Sequence, residues 1–234
     1  GKLNGKQYIV KTIVTSNLIE AIAKAKRVKC YDTLTGFKWI GQLMTQLQGK
    51  ETFIVGGEES YGYSVGELTR DKDAVISSAF IAEMTAYYKD KGTSLYQALI
   101  EMYGTYGLYK EELVSLTKKG KTGAEEIKAM MEQFRNNPPS ALGGSKVITL
   151  KDYELGNETD LTTGTSTPIK LPKSDVLQFI TEDGSIISAR PSGTEPKIKF
   201  YCSVNAPLAD IANFDEANAA LGDKIHQLMA DLQA

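Results

Sequence analysis

The strongest constraint on the fold is a change of period along the first half of the chain. Short β-rich runs alternate with stretches whose apolar residues recur every three or four positions. Residues 8–14, Tyr-Ile-Val-Lys-Thr-Ile-Val, carry strand chemistry, and residues 17–27 then place Leu18, Ile19, Ile22 and Ala25 on one helical face, with Ser16 as the expected cap. Residues 28–33 return to strand chemistry. Residues 37–47 repeat the helical pattern through Ile40, Leu43, Met44 and Leu47, and residues 52–55 form a third strand run that ends in Gly56-Gly57. Strands separated by amphipathic helices bury both faces of a sheet when the helices cross over it, so the pattern specifies a layered α/β sheet. Three further helices are expected over about 72–89, 94–106 and 121–136, the last closed by Pro138-Pro139.

Between Gly143 and Pro172 the periodic apolar residues give way to Gly156, Asn157, Gly164 and a Thr/Ser-rich segment, which reads as a connection. Beyond it lies a small α+β unit. Strand runs at 176–181 and 185–189 are joined at Glu182-Asp183-Gly184, a hairpin signal; residues 197–204 make a third strand, and residues 214–232 a terminal helix using Ala217, Leu221, Ile225, Leu228 and Leu232. The expected organisation is an α/β domain over 1–145, a connection over 146–170 and an α+β domain over 171–234.

Composition narrows the partners. Over 234 residues the formal net charge is -2, with no local basic cluster, so the chain lacks the electrostatic footprint of a nucleic-acid binder. No run of 18 apolar residues occurs and the first residues have no signal-peptide-like apolar core, so neither a membrane span nor secretion is expected, and the expected compartment is the cytoplasm. Cys30 and Cys202 sit in separate strand-like runs and read as reduced core residues.

Three segments carry chemistry. Arg190-Pro-Ser-Gly-Thr-Glu-Pro-Lys197 is a turn between two strands that reads as a phosphate grip. Arg190 offers a fork of N–H groups, Ser192 and Thr194 offer hydroxyls, and Gly193 lets backbone N–H groups approach an anion. Each charge-assisted bond contributes about 1.5–3 kcal/mol, so three or four hold a phosphorylated metabolite. Gly56-Gly-Glu-Glu-Ser-Tyr-Gly-Tyr63 follows a strand, where parallel α/β sheets present ligand groups; there Glu58 can accept from two neighbouring hydroxyls and Ser60 can donate or accept. Lys38 and Lys72 stand at helix N-termini, where a cation is disfavoured unless an anion is also present.

Together these segments resemble the α-D-phosphohexomutase family, the phosphoglucomutases and phosphomannomutases. The match lies in Gly57-Glu-Glu-Ser-Tyr-Gly62 and Arg190-Pro-Ser-Gly-Thr-Glu-Pro-Lys197, with Thr35-Gly-Phe-Lys-Trp39 and Arg70-Asp-Lys-Asp73 as two more signatures in the family's order. The resemblance implies the family's third domain, truncated at its N-terminus, followed by its fourth, a small fold like the TATA-binding protein. It implies interconversion of hexose 1-phosphate and hexose 6-phosphate through a bisphosphate such as glucose 1,6-bisphosphate, with hexose phosphates as partners. Glu58 and Ser60 would hold the sugar's O3 and O4, with Lys38 near the substrate. Arg190, Ser192, Gly193 and Thr194 would grip the phosphate not in transfer, and Lys72 would lie near the transferring phosphoryl group as a supporting catalytic cation.

The family's phosphoserine loop and its Asp-Gly-Asp magnesium loop have no counterpart here, and the lone His226 falls in the terminal helix. The chain by itself is therefore expected to be inactive and to hold no Mg²⁺, needing the family's N-terminal domains for both. Two alternatives stand beside this reading: mannose rather than glucose as the sugar, and a stand-alone sugar-phosphate-binding module without catalysis.

Overall fold

A computed structural model of the chain describes residues 3–118 and 120–233. They form two compact units. The first runs to Leu108 and takes in Pro207–Phe214, and the second comprises Tyr109–Ala206 and the terminal helix from Asp215.

The first unit contains β1 (Gln7–Thr12), α1 (Leu18–Ala25), β2 (Lys29–Thr33), α2 (Phe37–Leu47), β3 (Thr52–Gly57), β4 (Tyr63–Val65), α3 (Ala74–Asp90) and α4 (Leu95–Tyr106). Its sheet has the order β2-β1-β3-β4, with β1 parallel to both β2 and β3 and β4 antiparallel to β3. The core joins Tyr8, Val10 and Phe53 of the sheet to Phe37, Ile40 and Met44 of α2, with Leu43 and Leu47 packed against them. Each such side chain contributes about 1.5–3 kcal/mol on burial, enough to seat α2 firmly on the strands. Ser16 accepts from the Leu18 N–H at 3.2 Å, ahead of Asn17, which stands at the cap position without a side-chain bond. The three residues of strand β4 are too few to show a period in the sequence. Helix α3 buries no side chain among the described residues and leaves Val75, Phe80, Ile81 and Tyr87 exposed.

The second unit contains β5 (Leu108–Thr117), α5 (Gly120–Asn136), β6 (Ala141–Leu142), β7 (Ser145–Asp152), β8 (Asn157–Asp160), β9 (Ser166–Pro168), β10 (Leu177–Thr181), β11 (Ile186–Pro191) and β12 (Lys197–Ala206), and it ends in α6 (Phe214–Gln233). Its sheet has the order β5-β12-β11-β10-β7-β8-β9, with β6 paired to β7. Helix α5 packs across β10, β11 and β12, and the Phe134 ring meets Phe179 and Phe200 edge-on. Lys224 of α6 pairs with Asp183 at 2.8 Å, which fastens the helix to the β10–β11 hairpin.

The expectation of a connection over 146–170 requires correction, because that segment contributes β7, β8 and β9 to this sheet. Strands β8 and β9 lie at its margin and bury no residue, so they carry no alternating apolar pattern for the sequence to display. Residues 109–145, expected in the first domain, also belong to the second unit, while residues 207–214, expected in the second, belong to the first. Cys202 is buried, and burial pushes its thiol up to about 12; Cys30 is half-buried, with its thiol pushed up to about 11 by burial and by the nearby Asp32 carboxylate. No described helix is long and apolar enough to cross a membrane.

Candidate functional site

Strands β1, β2 and β3 run parallel, so the segments leaving their carboxyl ends emerge on one edge of the sheet. The β3–β4 hairpin presents Glu58–Gly62 there. Gly57 pairs with Tyr63, and the Glu58 N–H donates to the Gly62 carbonyl at 2.9 Å, closing the loop. Glu58 is only 5% exposed, an unusual place for a carboxylate on a turn.

Two segments distant in sequence converge on that carboxylate. The Gly36 N–H donates to Glu58 Oε1 at 2.8 Å from a backbone with φ of 109°, a conformation open to glycine. Lys72 brings its Nζ to 3.0 Å from Oε2. That approach lacks hydrogen-bond geometry, so Oε2 is buried with no hydrogen bond among the described residues. The Lys72 side chain is about half exposed, which limits such a pair to about 1 kcal/mol or less through screening. A buried acceptor left without a hydrogen bond costs about 1–3 kcal/mol, and more when charged. The balance leaves Oε2 short of a donor.

The loop is braced from beneath. Thr12 and Thr15 donate their hydroxyls to Glu59 Oε2 at 3.1 and 3.3 Å, tying the hairpin to the end of β1. Beside them the buried Lys11 pairs with Asp32 at 2.8 Å. The segment after β4 is held by the Asp73 N–H, which donates to the Tyr63 carbonyl at 2.8 Å, while the Asp73 carboxylate caps α3 by accepting from the Ile76 N–H at 2.9 Å. At the tip, Ser60 is exposed with no side-chain partner among the described residues, and Tyr61 is 86% exposed at φ 64°. A non-glycine residue in that left-handed region carries strain of about 1 kcal/mol or more.

Of the residues singled out in the first unit, Glu58 and Lys72 are thus in contact and Ser60 lies on the same loop. Lys38 is exposed in the first turn of α2 with its Nζ 4.9 Å from the Trp39 ring centroid, which directs the ammonium over its neighbour rather than onto Glu58. Sequence inspection missed the Gly36 donor, the Glu59 brace and Lys11. Only Gly36 left a trace, as a glycine opening a helix; Thr12 and Glu59 lie 47 residues apart with no pattern linking them.

In the second unit the residues from Arg190 to Thr194 leave β11 and return into β12. The turn is closed by the Ser192 N–H donating to the Lys197 carbonyl at 2.7 Å. The Ser192 hydroxyl accepts from the Thr194 N–H at 3.4 Å, and the side chain of Thr194 is exposed. Arg190 is half-buried, and its guanidinium has no hydrogen-bonded or ionic partner among the described residues. Directly across the strand pair stands Lys199, also half-buried and without an ionic partner among those residues. Like charges opposite one another are destabilising unless an anion joins them, and Lys199 is a second cation the sequence reading overlooked. Gly193 has no left-handed backbone and open space where a Cβ would stand, so nothing inside the unit demands glycine there. An incoming group would make use of that space.

The chain matches two family descriptions: phosphoglucomutase/phosphomannomutase alpha/beta/alpha domain III over residues 1–105, and phosphoglucomutase/phosphomannomutase C-terminal domain over residues 116–221. Among curated relatives, a phosphoglucomutase of Staphylococcus haemolyticus is 34% identical over 92% of this chain and 39% of its own length. A phosphoglucomutase of Staphylococcus aureus is 38% identical over 90% of this chain and 37% of its own. The chain therefore spans under two-fifths of the length of these relatives. Among solved structures, parafusin from Paramecium, a phosphoglucomutase in its open form, superposes with a TM-score of 0.58 at 18% identity, over 94% of this chain and 38% of that one, a likeness of fold.

Proposed function

Because the chain belongs to the phosphoglucomutase/phosphomannomutase family, with counterparts of its third and C-terminal domains, we propose that its protein interconverts hexose 1-phosphate and hexose 6-phosphate through a bisphosphate intermediate, this chain supplying sugar and phosphate recognition. The observation that carries the proposal is the β3–β4 loop: a buried carboxylate with one oxygen lacking a hydrogen-bond donor, next to an exposed and unengaged Ser60 hydroxyl. A sugar brings neighbouring hydroxyls, O3 and O4, that supply such donors. The pair exchanges places when the ring turns over, so one loop serves both the 1-phospho and the 6-phospho sugar.

Arg190 then takes the phosphate not in transfer, assisted by the Ser192 and Thr194 hydroxyls and the open backbone at Gly193. Lys72 faces the transferring phosphoryl group, where a cation offsets developing charge. Lys38 is assigned a place near the substrate, its ammonium moving off Trp39 to do so. Because O3 and O4 contacts leave O2 unread, glucose and mannose phosphates are both accepted. The donor set does not fit a resident metal in this chain: among the described residues no group of three His, Cys, Asp or Glu side chains is arranged to hold one. The phosphoserine and the metal ligands are assigned to the family's N-terminal domains, so the chain alone is inactive, and the proposed compartment is the cytoplasm. The helix-covered sheet of the second unit is in keeping with the TATA-binding-protein-like fold.

The test is calorimetric titration with glucose 1-phosphate, mannose 1-phosphate and glucose 1,6-bisphosphate, repeated for Arg190→Ala and Glu58→Gln. Each substitution is expected to weaken binding by about tenfold or more, the worth of one charge-assisted bond. Unchanged affinity in both variants would remove these loops from ligand binding.

A further inference from the structure

The contact between Lys72 and Glu58 competes with the role proposed for Glu58. Oε2 is the oxygen that a sugar hydroxyl would need, and Lys72 lies 3.0 Å away while the oxygen is closed to solvent. The lysine reaches it by lying across the loop. A Cβ placed on Gly62 would stand 2.5, 2.8 and 3.1 Å from Lys72 Cε, Cδ and Cγ, so the missing side chain at Gly62 is the groove in which the lysine stem rests. Glu58 faces the ammonium, Asp71 spends Oδ1 on the Lys72 backbone N–H at 2.7 Å, and Asp73 caps α3.

We propose that Lys72 is a specificity-determining residue: its ammonium closes over the Glu58 carboxylate in the free protein and withdraws when a ligand phosphate draws it away, so that the hydroxyl-reading loop opens to phosphorylated sugars and refuses neutral ones. This rests on the reading of Glu58 as the sugar acceptor. A neutral hexose that evicts the ammonium offers it only water in return, while its hydroxyls replace an ion contact with neutral donors. A sugar bisphosphate evicts it onto the phosphate that Arg190 does not hold, a dianion that more than repays the lost contact. Lysine suits the exchange because its charge is a point on a flexible stem that can swing without leaving its backbone position, and the side chain is already half exposed. Gly62 belongs to the same device, since any larger residue would lift the stem from the loop.

The test is ligand-observed NMR titration of glucose and of glucose 1,6-bisphosphate into the wild-type chain, Lys72→Met and Gly62→Ala. In Lys72→Met the expected result is a gain of up to about fivefold for glucose with a loss for glucose 1,6-bisphosphate, a shift on the scale of one exposed ion contact. Gly62→Ala keeps the charge but displaces the stem, so glucose should gain there as well; this arm holds even if loss of the lysine disturbs the loop. A lysine that merely bound phosphate would give the loss without the gain. Arg190→Ala separates the two levels of the argument. If it weakens glucose 1,6-bisphosphate while glucose binds no tighter to Lys72→Met or Gly62→Ala than to wild type, the gate is overturned and the sugar-phosphate reading stands. If glucose 1,6-bisphosphate binds to no form of the chain, both fall.

Discussion

The two recognition loops solve the same problem in opposite ways. In the β3–β4 loop the key carboxylate is 5% exposed, fixed by the Gly36 N–H and covered by Lys72. In the β11–β12 turn the key guanidinium is half-buried and bonded to nothing among the described residues, opposite a second unpaired cation, Lys199. The first loop is nearly complete without ligand and must be opened, whereas the second is incomplete without ligand and waits to be filled. A substitution in the first therefore disturbs folding and binding together, and one in the second disturbs binding alone.

The largest effect expected from testing that contrast lies outside both loops. Asp152 is 2% exposed; it accepts from Arg135 Nε at 2.7 Å and from the N–H groups of Glu154 and Leu155. Asp152→Ala leaves the mostly buried Arg135 side chain with Glu154 and Asp175 alone and strips two backbone N–H groups of their acceptor, and it should cost about 3–5 kcal/mol of stability, read by urea denaturation. If the variant unfolds as late as wild type, the second unit's rigidity has another source. Next comes Arg190→Ala, expected to cost about 1.5–3 kcal/mol in binding of glucose 1,6-bisphosphate while leaving the melting temperature within about a degree of wild type. A fall in melting temperature would mean that the guanidinium has a structural role after all and would erase the contrast.

Glu58→Gln should lower both quantities, by about 1 kcal/mol in stability, since the amide oxygen still accepts from Gly36 but the attraction of Lys72 is gone. Gly193→Ala is expected to leave stability within about 0.5 kcal/mol and to weaken phosphate binding only severalfold, because the new methyl intrudes on the ligand and not on the protein. The smallest effect is on pH dependence. Burial of the Asp183 carboxyl works to raise its pKa, but hydrogen bonds from Lys224, Thr181 and Ser185 outweigh it and hold the group well below the usual carboxylate range. Its contribution to stability is therefore present above the unfolded carboxylate pKa and is lost as pH falls toward the lower folded value. Asp183→Asn should flatten the acid limb of the stability profile, and an unchanged limb would assign that slope to other carboxylates.

Much of the fold could be read from the chain because period and burial coincide where helices and strands share a core. Residues 37–47 were legible as α2 to the residue, since Ile40 and Met44 mark one face and Gly36 marks the start. The second unit was legible where Phe179, Ile187 and Phe200 fill its interior, and illegible over β8 and β9, where marginal strands present polar side chains on both faces. The site followed the same rule. Glu58, Ser60 and Arg190 stood out because their chemistry is local to a short motif. The Gly36 donor, the Thr12 and Thr15 brace on Glu59 and the Arg190–Lys199 opposition depend on which strands are neighbours, and no spacing within the sequence encodes that.

The most direct test of the central claim is a backbone amide NMR titration of the chain with glucose 1-phosphate. Two groups of resonances should move in parallel with one saturation curve: Gly36, Glu58–Gly62 and Lys72 in the first unit, and Arg190–Thr194 in the second. Perturbations confined to other residues, or none at saturating sugar phosphate, would contradict the assignment of these loops as a sugar receptor and a phosphate grip.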